Sequence, residues 1–166
     1  MQMHKFFDLQ TPRDLLRKLA REYDRWKADP GSVDLAWNFF VTAEHLPDWI
    51  YYQDMPTTGQ KRPDLLDDKT PGAFKHAHVE TRICSHLANG GKHFHLRDRK
   101  LNSIASTRRE GAWGSSPYGA EAWGGGPTLM IDLTPEEQQA LSLAKASIEA
   151  LTLAADVLAF WQARVP

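Results

Sequence analysis

The sequence predicts a mainly α fold: an antiparallel four-helix bundle with a β-hairpin, or flap, inserted between helices three and four. Three observations carry this. Long segments repeat apolar residues at spacings of three and four, the mark of a helix with one buried face. Thr11-Pro12, Thr70-Pro71 and Thr134-Pro135 each place a capping hydroxyl ahead of a proline that is tolerated in a first helical turn. Two short strand-like segments flank a stretch rich in Gly and Trp. The chain of 166 residues fits a single domain, residues 1–166, with residues 97–133 as the insertion.

Thr11-Pro12 opens the first helix, which places Leu15, Leu19, Tyr23 and Trp26 on one face and stops at Asp29-Pro30-Gly31. Its charged residues, Arg13 to Arg25, read as a solvated face. Ser32 or Asp34 starts a second helix reaching about Gln53. Leu35, Phe39, Thr42, Leu46 and Trp49 form its core stripe, with Ala36, Phe40, Ala43 and Ile50 beside it. Asn38, His45 and Tyr52 lie on the edge of that arc. Pro47 cannot donate to the Ala43 carbonyl, so a kink is expected there. Met55 to Thr70 carries three turn signals and reads as an exposed loop.

Thr70-Pro71 restarts a helix that runs to Asn89 or beyond, burying Val79, Ile83, Leu87 and Phe94. Asn89-Gly90-Gly91 can close it as a C-cap or be carried through inside it. Ile104 to Thr107 and Thr128 to Leu133 read as strands; in the second, Leu129, Ile131 and Leu133 alternate with polar Thr128 and Asp132, with Met130 between. The tip between them repeats Ala-Trp-Gly at Trp113 and Trp123. Thr134-Pro135-Glu136-Glu137 has the pattern of a capping box, and the last helix is expected to run to about Arg164. Leu141, Ala144, Ile148, Leu151, Ala155 and Leu158 then form a bundle seam. Its apolar second half makes it either the central helix or a dimer interface.

Composition narrows the function classes. Hydrophobic residues are 42% and charged residues 25%, and the net charge is -1, so no global field draws the chain to nucleic acid or to an anionic membrane. One cysteine, Cys84, excludes an intramolecular disulfide and a Cys-rich zinc site, and fits a cytoplasmic location. We read it as a small core residue. No apolar run is long enough to span a bilayer. The first residues, MQMHKFFDLQ, lack the apolar core and cleavage site of a signal peptide.

The candidate site is a polar stripe. On a helix, Arg82, His86, Asn89 and His93 recur at spacings of four, three and four, which puts them within roughly 60° of one another. With Lys92 they can hold phosphate, and the histidines can move protons near neutral pH. Asn38 and His45 hold the matching edge of the second helix and are expected to line the same groove. The same segments carry a resemblance. NFFVTAEHLPDW (Asn38, His45, Leu46, Asp48, Trp49) and RICSHLANGGKHFHL (Leu87, Ala88, Asn89, Lys92, His93) resemble a group of uncharacterised bacterial and phage helical proteins. More distantly the pattern is similar to HEPN domains, helical bundles common in toxins and phage defence. That resemblance implies a metal-independent RNase or RNA-binding protein, with Arg82 positioning phosphate and His93 or His86 acting on the ribose 2′-OH or the leaving oxygen. Here Arg82 and His86 are separated by three residues, and the stripe lies on the third helix, whereas the HEPN motif lies near the start of the last.

Two further readings stand beside it. The chain is alternatively a non-catalytic interaction module that forms a homodimer through its last helix. Trp113, Tyr118 and Trp123 of the flap, with Arg108 and Arg109 at its base, would then hold a partner or fold back as a lid. The third reading is a metal-dependent enzyme built on His76-Ala77-His78, His86 and His93-Phe94-His95. On a helix His76 and His78 point apart, whereas His93 and His95 share a face if that segment is extended. No recognised metal motif is present, and no cofactor is implied.

Overall fold

The computed structural model describes residues 7–92, 102–111 and 127–165. For Gly91 and Lys92 it describes the helical backbone only. The protein is mainly helical, with a small three-stranded antiparallel sheet.

Helix α1 (Pro12–Ala28) is capped as its sequence predicts. Thr11 Oγ1 accepts from the Asp14 N–H at 3.2 Å, and the Asp14 carboxylate accepts from the Thr11 N–H at 3.0 Å. Leu15, Leu19 and Trp26 are buried against α2 (Val33–Tyr52), where Phe39 and Phe40 meet the Trp26 ring at 5.9 and 5.7 Å. Ser32 caps α2, and Pro47 lies inside it. The turn between the two helices carries Gly31. A Cβ there would lie 2.5 Å from Pro127 Cγ and 2.7 Å from the Pro127 carbonyl oxygen, so only glycine lets the start of the second strand approach.

The stretch expected as an exposed loop is partly ordered and partly buried. It holds α3 (Met55–Thr58) and a 3-10 turn (Pro63–Leu66), and Leu66 is fully buried. An apolar residue between turn signals is drawn into the core because burying it outweighs holding two short turns. The third helix divides. α4 (Pro71–Ala77) ends at His78, which is extended, and α5 (Val79–Lys92) begins afresh. The buried Thr81 hydroxyl lies 3.0 Å from both the Lys75 and the His78 carbonyls; the His78 carbonyl already accepts from the Arg82 N–H at 2.9 Å, so the hydroxyl's proton serves the Lys75 carbonyl at the break. α5 does pass through Gly90-Gly91. Ile83 and Cys84 are buried, with Val79 and Leu87 packed at the core's edge. Phe94 lies outside the described residues.

β1 (Ile104–Glu110) and β2 (Thr128–Leu133) pair antiparallel, with an irregularity between Ile104 and Ser106. The chain after β2 departs from expectation. α6 (Pro135–Ala140) is short, Ser142 adopts a left-handed φ of 54°, and Ser147–Glu149 forms β3, paired antiparallel to β2. Only then does α7 (Ala150–Gln162) begin. Thus the single last helix is corrected to helix, strand, helix. The reason is long-range: β2 has an open edge, and Ile148 buries beside Ile131 once it pairs there. The seam changes accordingly. Ala144 is exposed, Leu151, Ala155 and Leu158 are only partly buried, and the core face of α7 is Leu153, Ala154, Val157 and Trp161. That face is buried within the chain, while Thr152, Asp156, Ala159 and Gln162 are exposed.

The capping box expected at Thr134 is also corrected. Thr134 makes no side-chain cap, and Glu137 turns away from it. Where Glu137 goes decides the site.

Candidate functional site

Arg82 sits one turn into α5, at its edge with α6. Its Nε donates to Glu137 Oε1 at 2.8 Å, its Nη2 donates to Glu137 Oε2 at 2.6 Å, and its Nη1 donates to the His76 carbonyl at 2.9 Å. Three of the five guanidinium N–H donors are therefore used, two of them in the side-on geometry that suits a carboxylate. Glu137 is buried, and its Oε1 also accepts from the Ser103 hydroxyl at 2.7 Å. Burial pushes this carboxyl up, but the hydrogen bonds from Arg82 and Ser103 outweigh it and hold Glu137 below the usual range. The same pairing raises Arg82.

One turn on, His86 is half-buried. Its Nδ1 accepts from the backbone N–H groups of Ser103 at 3.0 Å and Ile104 at 3.1 Å. Because both partners are donors, Nδ1 is bare and the proton is on Nε2. Burial lowers the pKa of the ring, so it is neutral at pH 7. Arg82 and His86 thus converge on Ser103, one through Glu137 and the other through the backbone. Asn89 Nδ2 donates to the Ser85 carbonyl at 2.7 Å, back along its own helix.

The rest of the predicted set is not gathered here. Asn38 is exposed on α2. His45 Nδ1 bonds the Val41 carbonyl at 2.7 Å, and its Nε2 lies 3.7 Å from Glu44. Neither Asn38 nor His45 lines a groove with His86. Near them Lys75 bridges Glu44 at 2.8 Å and Asp48 at 2.7 Å, tying α4 to α2. His93, Trp113 and Trp123 lie outside the described residues, as does the side chain of Lys92. His76 is exposed, and His78 Nε2 bonds Asp67 at 2.9 Å. Among the described residues no group of three or more His, Cys, Asp or Glu is placed to hold a metal ion.

A groove of about 810 Å³ lies between α2, α5 and the β1–β2 hairpin. Trp37, Phe40, Leu87 and Leu129 supply apolar wall, His86 borders it, and Arg109 lines it from β1. Arg109 Nη2 donates to the Gly31 carbonyl at 3.0 Å, fastening the hairpin to the α1–α2 turn. No protein-family model, curated protein or solved structure matches the chain. The site is therefore read from its own geometry.

On the sheet's other side Asp132 accepts from Arg108, Ser106 and Ser147, which draws its carboxyl well below the usual range. No imidazole takes part in this set. It joins three strands and has no base to activate either serine. Sequence reasoning missed Glu137 and Ser103 as partners of the stripe. The signal at Glu137 was present but pointed elsewhere, because a glutamate three residues after a threonine is also a capping box. No helix among the described residues is long and apolar enough to cross a membrane.

Proposed function

We propose that this chain is a binding module whose ligand site is the groove between α2, α5 and the hairpin, and that the ligand is small, mainly apolar and carries a hydrogen-bond acceptor. The observation behind this reading is the commitment of Arg82. A phosphate-binding arginine needs its paired donor edge, and in Arg82 the Nε–Nη2 edge is taken up by Glu137 while Nη1 is held by the His76 carbonyl, so three of its five N–H donors are used inside the fold. A volume of about 810 Å³ falls in the range of small-molecule sites, which combine apolar walls with a few fixed polar groups. His86 offers one such group as an Nε2–H donor.

The test is titration with the apolar anion 1-anilinonaphthalene-8-sulfonate, wild type beside Leu129→Trp, which fills the groove. Saturable single-site binding by the folded protein, weakened at least tenfold in the variant, is expected. Equal binding by both would overturn the reading.

The RNase reading implied by the HEPN-like resemblance is the second proposal, favoured by the convergence of Arg82 and His86 on Ser103. Its base would have to be His93, since His86 Nε2 already carries a proton. RNA cleavage in EDTA that is lost in both His93→Ala and Arg82→Ala would favour it over the binding module. The finer architecture belongs with these proposals: we take α1, α2, α5 and α7 as a four-helix bundle, supported by the closed ring of contacts α1–α2, α2–α5, α5–α7 and α7–α1. A homodimer would have to use the outward residues of α7, and sedimentation at micromolar concentration tests it.

A further inference from the structure

We infer that His86 is a protonation-controlled latch: the neutral ring holds the start of β1 on α5, and the charged ring lets it go. The geometry is specific. Two consecutive backbone N–H groups, of Ser103 and Ile104, converge on Nδ1 at 3.0 and 3.1 Å. A proton added to Nδ1 removes the lone pair that both use and sets three donors facing one another. No rotation of the ring restores both bonds, because an imidazolium has no acceptor. Release of the two amides is therefore tied to uptake of a single proton.

The surroundings set the direction. On its own helix His86 is preceded one turn earlier by Arg82, whose charge is paired with Glu137 of α6. Arg109 of β1 lines the same groove as His86, while Arg108 has its charge paired with Asp132 and Glu110. From α2 the groove receives Val33, Ala36, Trp37 and Phe40, and from α7 Ala150, none of them titratable. Among the described residues the unscreened field at the ring is thus not acidic, and burial disfavours the cation further. The latch stays shut at neutral pH and opens in acid, below the ordinary histidine value. Ser103 remains tethered to α6, since its hydroxyl donates to Glu137 and its carbonyl accepts from the Thr134 N–H at 3.2 Å. What opens is the α5–β1 seam, one wall of the groove, while β1 stays paired to β2.

The test is NMR of the full chain from pH 8 to pH 4.5, following the His86 ring nitrogens together with amide exchange at Ser103, Ile104 and, as a control in the central strand, Ile131. At pH 8 the His86 ring should show a bare Nδ1 and a protonated Nε2. Protection of Ser103 and Ile104, corrected for intrinsic exchange, should fall about tenfold per pH unit through the His86 midpoint, as one linked proton requires. Ile131 should stay protected. His86→Gln keeps an acceptor that takes up no proton in this range and should hold both amides across the whole span. His86→Phe should expose them at every pH. Protection at Ser103 and Ile104 that ignores the His86 titration, or a ring protonated at Nδ1 at pH 8, would overturn the latch. So would a His86→Gln variant that opens in acid as the wild type does.

Discussion

At the scale of single residues, the stripe on α5 shows how one chemistry can be used in two ways. Arginine, histidine and asparagine one turn apart can hold a ligand, or they can hold the chain. Here Arg82 holds α6, His86 holds β1 and Asn89 closes on its own helix. Removing one partner of a buried ion pair leaves the other charge without compensation, and Glu137 is the buried member. Glu137→Ala is expected to cost about 3 kcal/mol, the low end for such pairs because Arg82 keeps some exposure. Urea unfolding of Glu137→Ala, Arg82→Ala and the double variant checks this, and the double should cost less than the two singles summed. Cys84 behaves in the opposite way. It is buried and its thiol is pushed far up by burial, so it should resist a thiol reagent in native buffer and react rapidly once the protein is unfolded in urea.

At the scale of elements, α1 and α2 follow from local signals, because their caps, stops and apolar stripes agree with one another. The segment after β2 does not, since two patterns compete there. Leu141, Ala144 and Ile148 keep helical spacing, yet Ser147–Glu149 also has the in-out alternation of a strand, and the open edge of β2 selects the strand. The two alternatives separate cleanly by mutation. Ala144→Glu should change stability by no more than about 0.5 kcal/mol, as an exposed site does, whereas Leu153→Ala should cost about 2–5 kcal/mol, as a fully buried leucine does. A helical seam through Ala144 would reverse the two, with a large loss at Ala144 and a small one at Leu153, which lies off that seam. Gly31 belongs to this scale too. Gly31→Ala would force apart the α1–α2 turn and Pro127 and should cost about 1–3 kcal/mol, read as a shift in the urea midpoint.

At the scale of the whole molecule, stability should respond to acid in two steps. The first comes from His86, whose folded pKa is depressed below the ordinary 6.5. The unfolded chain then binds the proton more readily, so stability is full above that value and falls as pH drops beneath it. The second comes from Glu137, held below its ordinary 4.5. Its contribution is present above that value and is lost as pH falls through the folded pKa. Urea midpoints measured from pH 8 to pH 3 should show both declines. Glu137→Gln should shrink the lower one, which Asp132, Asp14 and Asp64 share through their own lowered carboxyls, and leave the upper one in place.

By itself the sequence determined the mainly helical class, the first two helices, the two strands of the hairpin and the buried place of Cys84. It also marked Arg82 and His86 as unusual, being polar residues at the edge of a core face. Each of these depends on residues within one or two turns of each other, where cap, stop and periodicity act locally. Only the tertiary structure decided the break at His78, the third strand, the true face of α7 and the partners of the stripe. Those rest on groups distant in the chain: Glu137 lies 55 residues from Arg82, and Ser103 lies 17 from His86. A local pattern shows that a glutamate follows a threonine by three, but it carries no sign of which buried donor will reach that glutamate first.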